Sequence, residues 1–360
     1  MDTFQMEFKK IIKEYESHPK DDLMEKLKVH KNKVIVFGAG AVGNSIADNF
    51  NINAFCDNHK AGWNKQFNVP IITPKQLVEN HKDAVVIVAA CYKYNLEMYN
   101  QIIKMGFPRE NIFRRYSGYQ LYSMEKFKQY YRGYEWAYSL FEDDISKKII
   151  LDRIRGYLFY HDMPHSVCED QYFDSSVISF SEDEVFYDAG CYIGDTIQEF
   201  IKRVNGHYRH IYGFEPDASN YKQALNNLEP YHNISLIKKG LWNCDDVLTF
   251  NSASSASRIT ENGDASIQLT SVDSFLSNLS DNDKNTIPTF IKMDIEGSEK
   301  EAIMGCRETI KKCHPKLAVC VYHRPEDIYE IPKIIMELGK YNFTLRHYSQ
   351  GDVETVLYAI

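Results

Sequence analysis

Two short stretches restrict what this chain can fold into more than any other feature. VIVFGAGAVG begins at Val34 and VFYDAGCYIGD at Val185; each is an apolar run that breaks into a glycine turn and continues as a helical pattern. A strand that passes directly into a glycine loop and a helix is the opening of a parallel βα unit. Two such openings in 360 residues predict two Rossmann-like units, in line with about 150 residues per domain.

The segments around each opening agree. Residues 1–30 read as a helical arm, with Phe4, Phe8, Ile11 and Ile12 on one face. KVIVFG, INAFCD, VPIIT, AVVIVAA and NIFRR then alternate with AVGNSIADNF, PKQLVENH and NLEMYNQIIKMG, which predicts an α/β nucleotide-binding domain over 31–118. Residues 119–180 carry helical periodicity and read as a helical connector. From Val185 the alternation resumes in a second domain, 181–360, with VFYDAG, HIYGFEP, ISLIKKGLW, FIKMD, KLAVCVYH, FTLRHYS and ETVLYAI. The last two runs are separated only by a short turn containing QGD, so they must pair antiparallel. A mostly parallel sheet closed by an antiparallel hairpin is the architecture of class I methyltransferases, and the expected fold class is α/β throughout. The serine-rich stretch Asn251 to Ser266 reads as a mobile loop.

Composition excludes several functions. A formal net charge of -8 argues against a nucleic-acid partner. No apolar run approaches the roughly 18 residues of a membrane span. The first residues, MDTFQMEFKKIIKEYE, lack the apolar stretch of a signal peptide. The eight cysteines form no CxxC pair and several lie in strand-like runs, so they read as reduced core residues of a cytoplasmic protein. His207 and His210 have H-x-x-H spacing but no further ligand type recurs beside them, and no H-x-E pattern occurs, so no metal site is expected. The 25 tyrosines cluster around YRGYEWAY and YLFYHD and are expected to pack a helical layer.

The two loops differ in grammar. Gly38, Gly40 and Gly43 form G-x-G-x-x-G, and Asp57 ends the next strand about 20 residues on, the dinucleotide fingerprint. A nucleotide or nucleotide sugar is the ligand this implies, and a docking unit is the other reading. The Tyr-x-x-x-Lys patterns at Tyr122 and Tyr329 lie outside this unit. In the second loop Asp188, Gly190 and Gly194 give D-x-G-x-x-x-G, without the middle glycine that a pyrophosphate needs. Glu215 ends the following strand, where a carboxylate can grip both ribose hydroxyls. A nucleoside cofactor with no pyrophosphate fits, and S-adenosylmethionine is the obvious one, with Asp188 placed to orient its cationic end.

From about Glu184 onward the chain resembles the FkbM family of S-adenosylmethionine-dependent methyltransferases. The resemblance is carried by VFYDAGCYIGDT, YGFEPD, KKGLW, SVDSF, FIKMDIEGSEKEAI, PKLAVCVYH and ETVLYAI, in that order over half of the chain. It implies methyl transfer to a hydroxyl of a sugar, glycan or secondary metabolite. On the matching motifs, Tyr192, Asp195, Pro216, Gly240, Leu241 and Asp294 join Asp188, Gly190, Gly194 and Glu215 as cofactor-binding positions. The expected partner is a small-molecule or glycan acceptor, and a homo-oligomer is compatible with the sequence.

Transfer to a hydroxyl requires alignment, exclusion of water and a place for one proton. FIKMD delivers Asp294 to the carboxyl edge of the sheet, with Glu296 just beyond it and His323 at the end of KLAVCVYH. Lys292 lies two positions before Asp294 and is expected to pair with it or bind the acceptor. Ser298 and Glu301 have capping-box spacing, and Glu299 is placed to favour the helix dipole. Tyr172 and Phe173, just before the domain's first strand, are expected to close the far side as a lid. The competing readings are an oxidoreductase or epimerase run by the GAGAVG loop, and a non-enzymatic sensor built from two nucleotide-binding units.

Overall fold

The computed structural model describes residues 3–17, 23, 26, 27, 33–90, 92–115, 122–159, 163, 165, 170–250, 265–279, 287–349, 351 and 353–360. The chain divides into two compact units, one of Lys9–Met124 with Arg155–Asp162, the other of Met1–Phe8, Glu125–Ile154 and Met163–Ile360.

In the first unit, β1 (Val34–Phe37), β2 (Ala54–Cys56), β3 (Gly62–Asn64), β4 (Val69–Ile72), β5 (Val85–Ala89) and β6 (Ile112–Arg115) form one sheet in the order β3-β4-β2-β1-β5-β6. The central strands β1 and β5 are buried along their whole length. This matches their unbroken apolar runs, because a parallel strand with covered faces needs no polar alternation. Every pairing is parallel except β3 against β4. The sequence reading missed β3, an edge strand whose exposed GWN carries no apolar pattern.

In the second unit, β7 (Val185–Ala189), β8 (His210–Phe214), β9 (Ile234–Ile237), β13 (Phe290–Met293), β14 (Lys316–Cys320), β15 (Phe343–His347) and β16 (Thr355–Ala359) give the order β15-β16-β14-β13-β7-β8-β9. The five strands from β14 to β9 are parallel, and β16 runs antiparallel to both β14 and β15, so the expected closing hairpin is present. Phe186, Phe200 and Phe290 anchor its core, and Tyr172, Phe173 and Ile178 belong to the same cluster. The core of this unit therefore begins before residue 181, with non-helical chain.

Two further expectations are corrected. Helices Tyr131–Leu140 and Asp144–Leu158 lie in the expected connector, yet through Ile154 they belong to the second unit. Leu345 N donates to Ser146 Oγ at 2.8 Å, and Arg346 pairs with Asp143 at 3.0 Å, which ties this layer to β15. The YRGYEWAY cluster serves this layer, where Phe4 and Phe8 pack on Tyr131 and Lys333 sits 4.7 Å from the Trp136 ring. In YLFYHD, by contrast, Tyr157 belongs to the first unit and Tyr160 lies outside the described residues. The second correction is a small three-stranded sheet of β10 (Gly240–Leu241), β11 (Asp246–Phe250) and β12 (Ala265–Thr270). Within the expected mobile loop, Ala265 and Ser266 are strand, and 251–264 lie outside the described residues. No helix among the described residues is long and apolar enough to cross a membrane.

Candidate active site

Because β7, β8, β13 and β14 are parallel, their carboxyl ends open on one edge of the sheet, where ligands of open α/β folds bind. Four loops meet there.

The loop after β7 folds back over β13. Gly190 has φ +75°, and a Cβ on it would lie 2.1 Å from the carbonyl oxygen of Asp294, so only glycine fits. Gly190 and Cys191 both donate their amides to Phe214 O, which binds the loop to β8. Gly194 is the N-cap of the helix Asp195–Arg203, and Tyr192 stands exposed between the glycines.

Glu215, at the end of β8, joins two of these loops. Its carboxylate accepts from Tyr192 N at 3.0 Å and Asp217 N at 2.9 Å. Burial pushes its pKa up, and those backbone bonds pull against the rise. The Asn220 side chain bonds it as well, which leaves part of its acceptor capacity for a ligand. Gly240 lies beside Pro216, since a Cβ there would be 3.6 Å from the proline ring, and Leu241 is buried behind it. The fold thus gathers Gly190, Tyr192, Gly194, Asp195, Glu215, Pro216, Gly240 and Leu241 along one stretch of the edge.

Asp188 and Lys292 do not reach that edge. Both are buried, and Lys292 Nζ lies 2.9 Å from Asp188 Oδ1 while donating to Gly190 O at 2.9 Å. Burial alone would lower the Lys292 pKa, but Asp188 and Asp294 hold it above its ordinary value. Burial pushes Asp188 to about 6 against the pull of Lys292, so both groups are charged at neutral pH. Asp188, expected to orient a cationic ligand, and Lys292, expected to pair with Asp294 or bind an acceptor, pair with each other in this structure. That pair braces the β7 loop.

At the ends of β13 and β14 the chain gathers an acidic cluster. Asp294 accepts from Tyr172 Oη at 2.8 Å and Tyr322 Oη at 3.2 Å. His323 Nε2 stands 3.6 Å from both Asp294 Oδ1 and Glu296 Oε2, and its Nδ1 stands 3.1 Å from Glu299 Oε1. Burial pushes the imidazole down, but Glu299, Asp294 and Glu296 outweigh it and hold His323 above the usual histidine range. Glu296 has a positive φ of 56° and is 93% exposed, so its carboxylate faces solvent. Tyr172 is buried core, not a surface lid, and it touches the site through its hydroxyl.

The expected cap did not form: Ser298 makes no side-chain bond to the helix Glu299–Met304. Glu299 instead is buried and accepts from Ile295 N at 2.9 Å and Gly297 N at 3.3 Å. Sequence reasoning missed its role, together with Tyr322 and the half-buried Glu354, whose pKa burial raises and which feels Asp294 and His323. Spacing alone could not have found them, because they come from three separate loops.

In the first unit the structure gives Asp57 a structural task. Its Oδ2 accepts from Ala39 N at 2.8 Å, and its Oδ1 accepts from His59 N and Lys60 N. Lys60 Nζ donates to Ala39 O at 2.9 Å, and a Cβ on Gly43 would come 1.7 Å from Gly38 O. The GAGAVG loop is therefore held by contacts within the chain, with Gly40 on its open side.

Residues 188–345 match the methyltransferase FkbM domain, and residues 30–113 match the family described as C2185-like, N-terminal. No curated protein matches the chain. Among solved structures, a methyltransferase FkbM from Methylobacillus flagellatus KT superposes with a TM-score of 0.72 at 20% identity, over 95% of this chain and 94% of that one. A fibrillarin from Aeropyrum pernix, described with natively bound S-adenosyl-L-methionine, aligns at TM-score 0.35 and 12% identity over 51% of this chain and 70% of its own.

Proposed function

We propose that residues 188–345, which match the methyltransferase FkbM domain, form an S-adenosylmethionine-dependent methyltransferase that O-methylates a hydroxyl of a sugar, glycan or secondary metabolite. The observation that carries the reading is that Glu215, tied to the β7 loop through Tyr192 N, and the Asp294–Glu296–His323 cluster share one edge of the sheet.

The residues present suit this cofactor. Glu215 keeps acceptor capacity toward a ribose hydroxyl, and the acidic cluster suits a ligand that carries an ammonium and a sulfonium. When bound, S-adenosylmethionine supplies a methyl group on a positively charged sulfur. Glu215 would grip the ribose, and the glycine loop would let the backbone approach. Asp294, its carboxylate oriented by Tyr172 and Tyr322, would align the acceptor hydroxyl. The cluster as a whole would receive the one proton that transfer releases.

Calorimetry tests the reading. Glu215→Ala should weaken S-adenosylmethionine binding more than tenfold, because a good carboxylate contact exceeds about 1.4 kcal/mol. Removing the residue that takes the proton should cost about 10²–10⁴ in turnover with cofactor affinity nearly intact. Comparing Asp294→Asn, Glu296→Gln and His323→Ala on both scales assigns the roles. Wild-type protein that binds NAD and not S-adenosylmethionine would refute the proposal.

A further inference from the structure

We propose that Asp294, Glu299 and His323 bind one divalent transition-metal ion, such as manganese(II), which takes the acceptor oxygen as a further ligand. The inference rests on the methyl-transfer reading above. One ligand atom from each residue can be chosen so that all lie within 4.8 Å of one another. An ion with bonds of about 2.1 Å sets its ligand atoms on the order of 3 to 4 Å apart, so small side-chain adjustments close the site.

Three independent features point to a cation. Glu299 Oε2 is buried and makes no hydrogen bond, although its side chain is only 1% exposed, and the nearly buried imidazole of His323 faces carboxylates on both of its nitrogens. Buried polar atoms in that state cost free energy unless something satisfies them. Three carboxylates, Asp294, Glu296 and Glu299, face a single imidazole, and Lys292 is already committed to Asp188. The carboxylates are also held as metal ligands usually are: Glu299 Oε1 by Ile295 N and Gly297 N, Asp294 Oδ2 by Tyr172. One imidazole with two carboxylates favours manganese, iron or zinc over magnesium or calcium.

Such an ion would lower the pKa of the acceptor hydroxyl. As the oxygen–methyl bond forms, the carbon–sulfur bond breaks, and the electron pair stays on sulfur. The hydroxyl proton passes to the exposed carboxylate of Glu296, 3.6 Å from His323, and from there to water. The metal and Glu296 thus divide work that an unaided base would do alone.

The test is a manganese(II) titration of the chelator-treated full chain, read by loss of the paramagnetic resonance signal of the free ion. One ion should bind per chain, zinc(II) should displace it, and Glu299→Gln and His323→Ala should each weaken binding by about tenfold or more. Circular dichroism checks that each variant is folded, and Asp294→Asn replaces any that is not. No uptake by wild type, or uptake unchanged in all folded variants, overturns the inference. Calorimetry with S-adenosylmethionine on the metal-free chain separates the two ideas. Cofactor binding without metal uptake sinks the metal site alone, whereas metal uptake without cofactor binding supports the site and refutes methyl transfer.

Discussion

Replacing Lys292 by methionine probes the brace beneath the β7 loop. Methionine nearly conserves volume, so the perturbation is the loss of an ammonium 2.9 Å from a carboxylate that is 0% exposed. Breaking a buried pair by removing one partner costs about 3–5 kcal/mol, a large share of the stability of any domain. The bond from Nζ to Gly190 O goes with it. The loss should also depend on pH. With Lys292 present, Asp188 lies near 6, so its wild-type contribution is flat above that pH. Without the ammonium its folded pKa rises further above the unfolded value near 3.9, and the folded state holds a proton that the unfolded state has released. Stability of the variant then falls as pH rises, by up to about 1.4 kcal/mol per unit. The gap between the two chains should therefore widen between pH 6 and pH 8. The double variant Asp188→Asn with Lys292→Met has no orphaned charge and should recover most of the loss. Urea denaturation followed by circular dichroism at both pH values measures all three. A single variant that loses less than about 1 kcal/mol at pH 8, or a double variant no better than the single, refutes the argument.

Two other outcomes follow from buried groups. Burial, with help from Arg153, pushes His347 down to about 3, and its ring is held by Thr355 Oγ1 and Gly351 O. The unfolded chain takes up that proton first, near pH 6.5, so stability is full above this value and drops on acidification by about 1.4 kcal/mol per unit. His347→Asn should show a shallower acid loss in urea melts, and parallel curves would rule the mechanism out. Gly190→Ala places a Cβ 2.1 Å from Asp294 O at a φ of +75°, so the melting temperature should drop by about 5 °C or more, and wild-type melting would contradict the steric reading.

The architecture was legible because its strands are buried on both faces. VIVF, VFYDA and FIKM need no polar alternation, and each stands out as an apolar run punctuated by glycine or a carboxylate. The closing hairpin was legible for a covalent reason: a short turn cannot return a strand in parallel. Edge strands such as β3, and the β11–β12 pairing, carry exposed residues and left no comparable pattern.

Site residues that act next to their own strand end, such as Glu215 and Asp294, were placed by the sequence itself, because strand direction determines which edge they reach. What each side chain faces was decided by tertiary structure alone. Asp188 is one residue from the strand end, yet burial turns it toward Lys292; Glu299 opens a helix, yet it is drawn under its own loop to face His323. Sequence sets the order of strands and the residues at their tips. Burial and charge pairing depend on distances between segments far apart in the chain, and only the packed sheet fixes those distances.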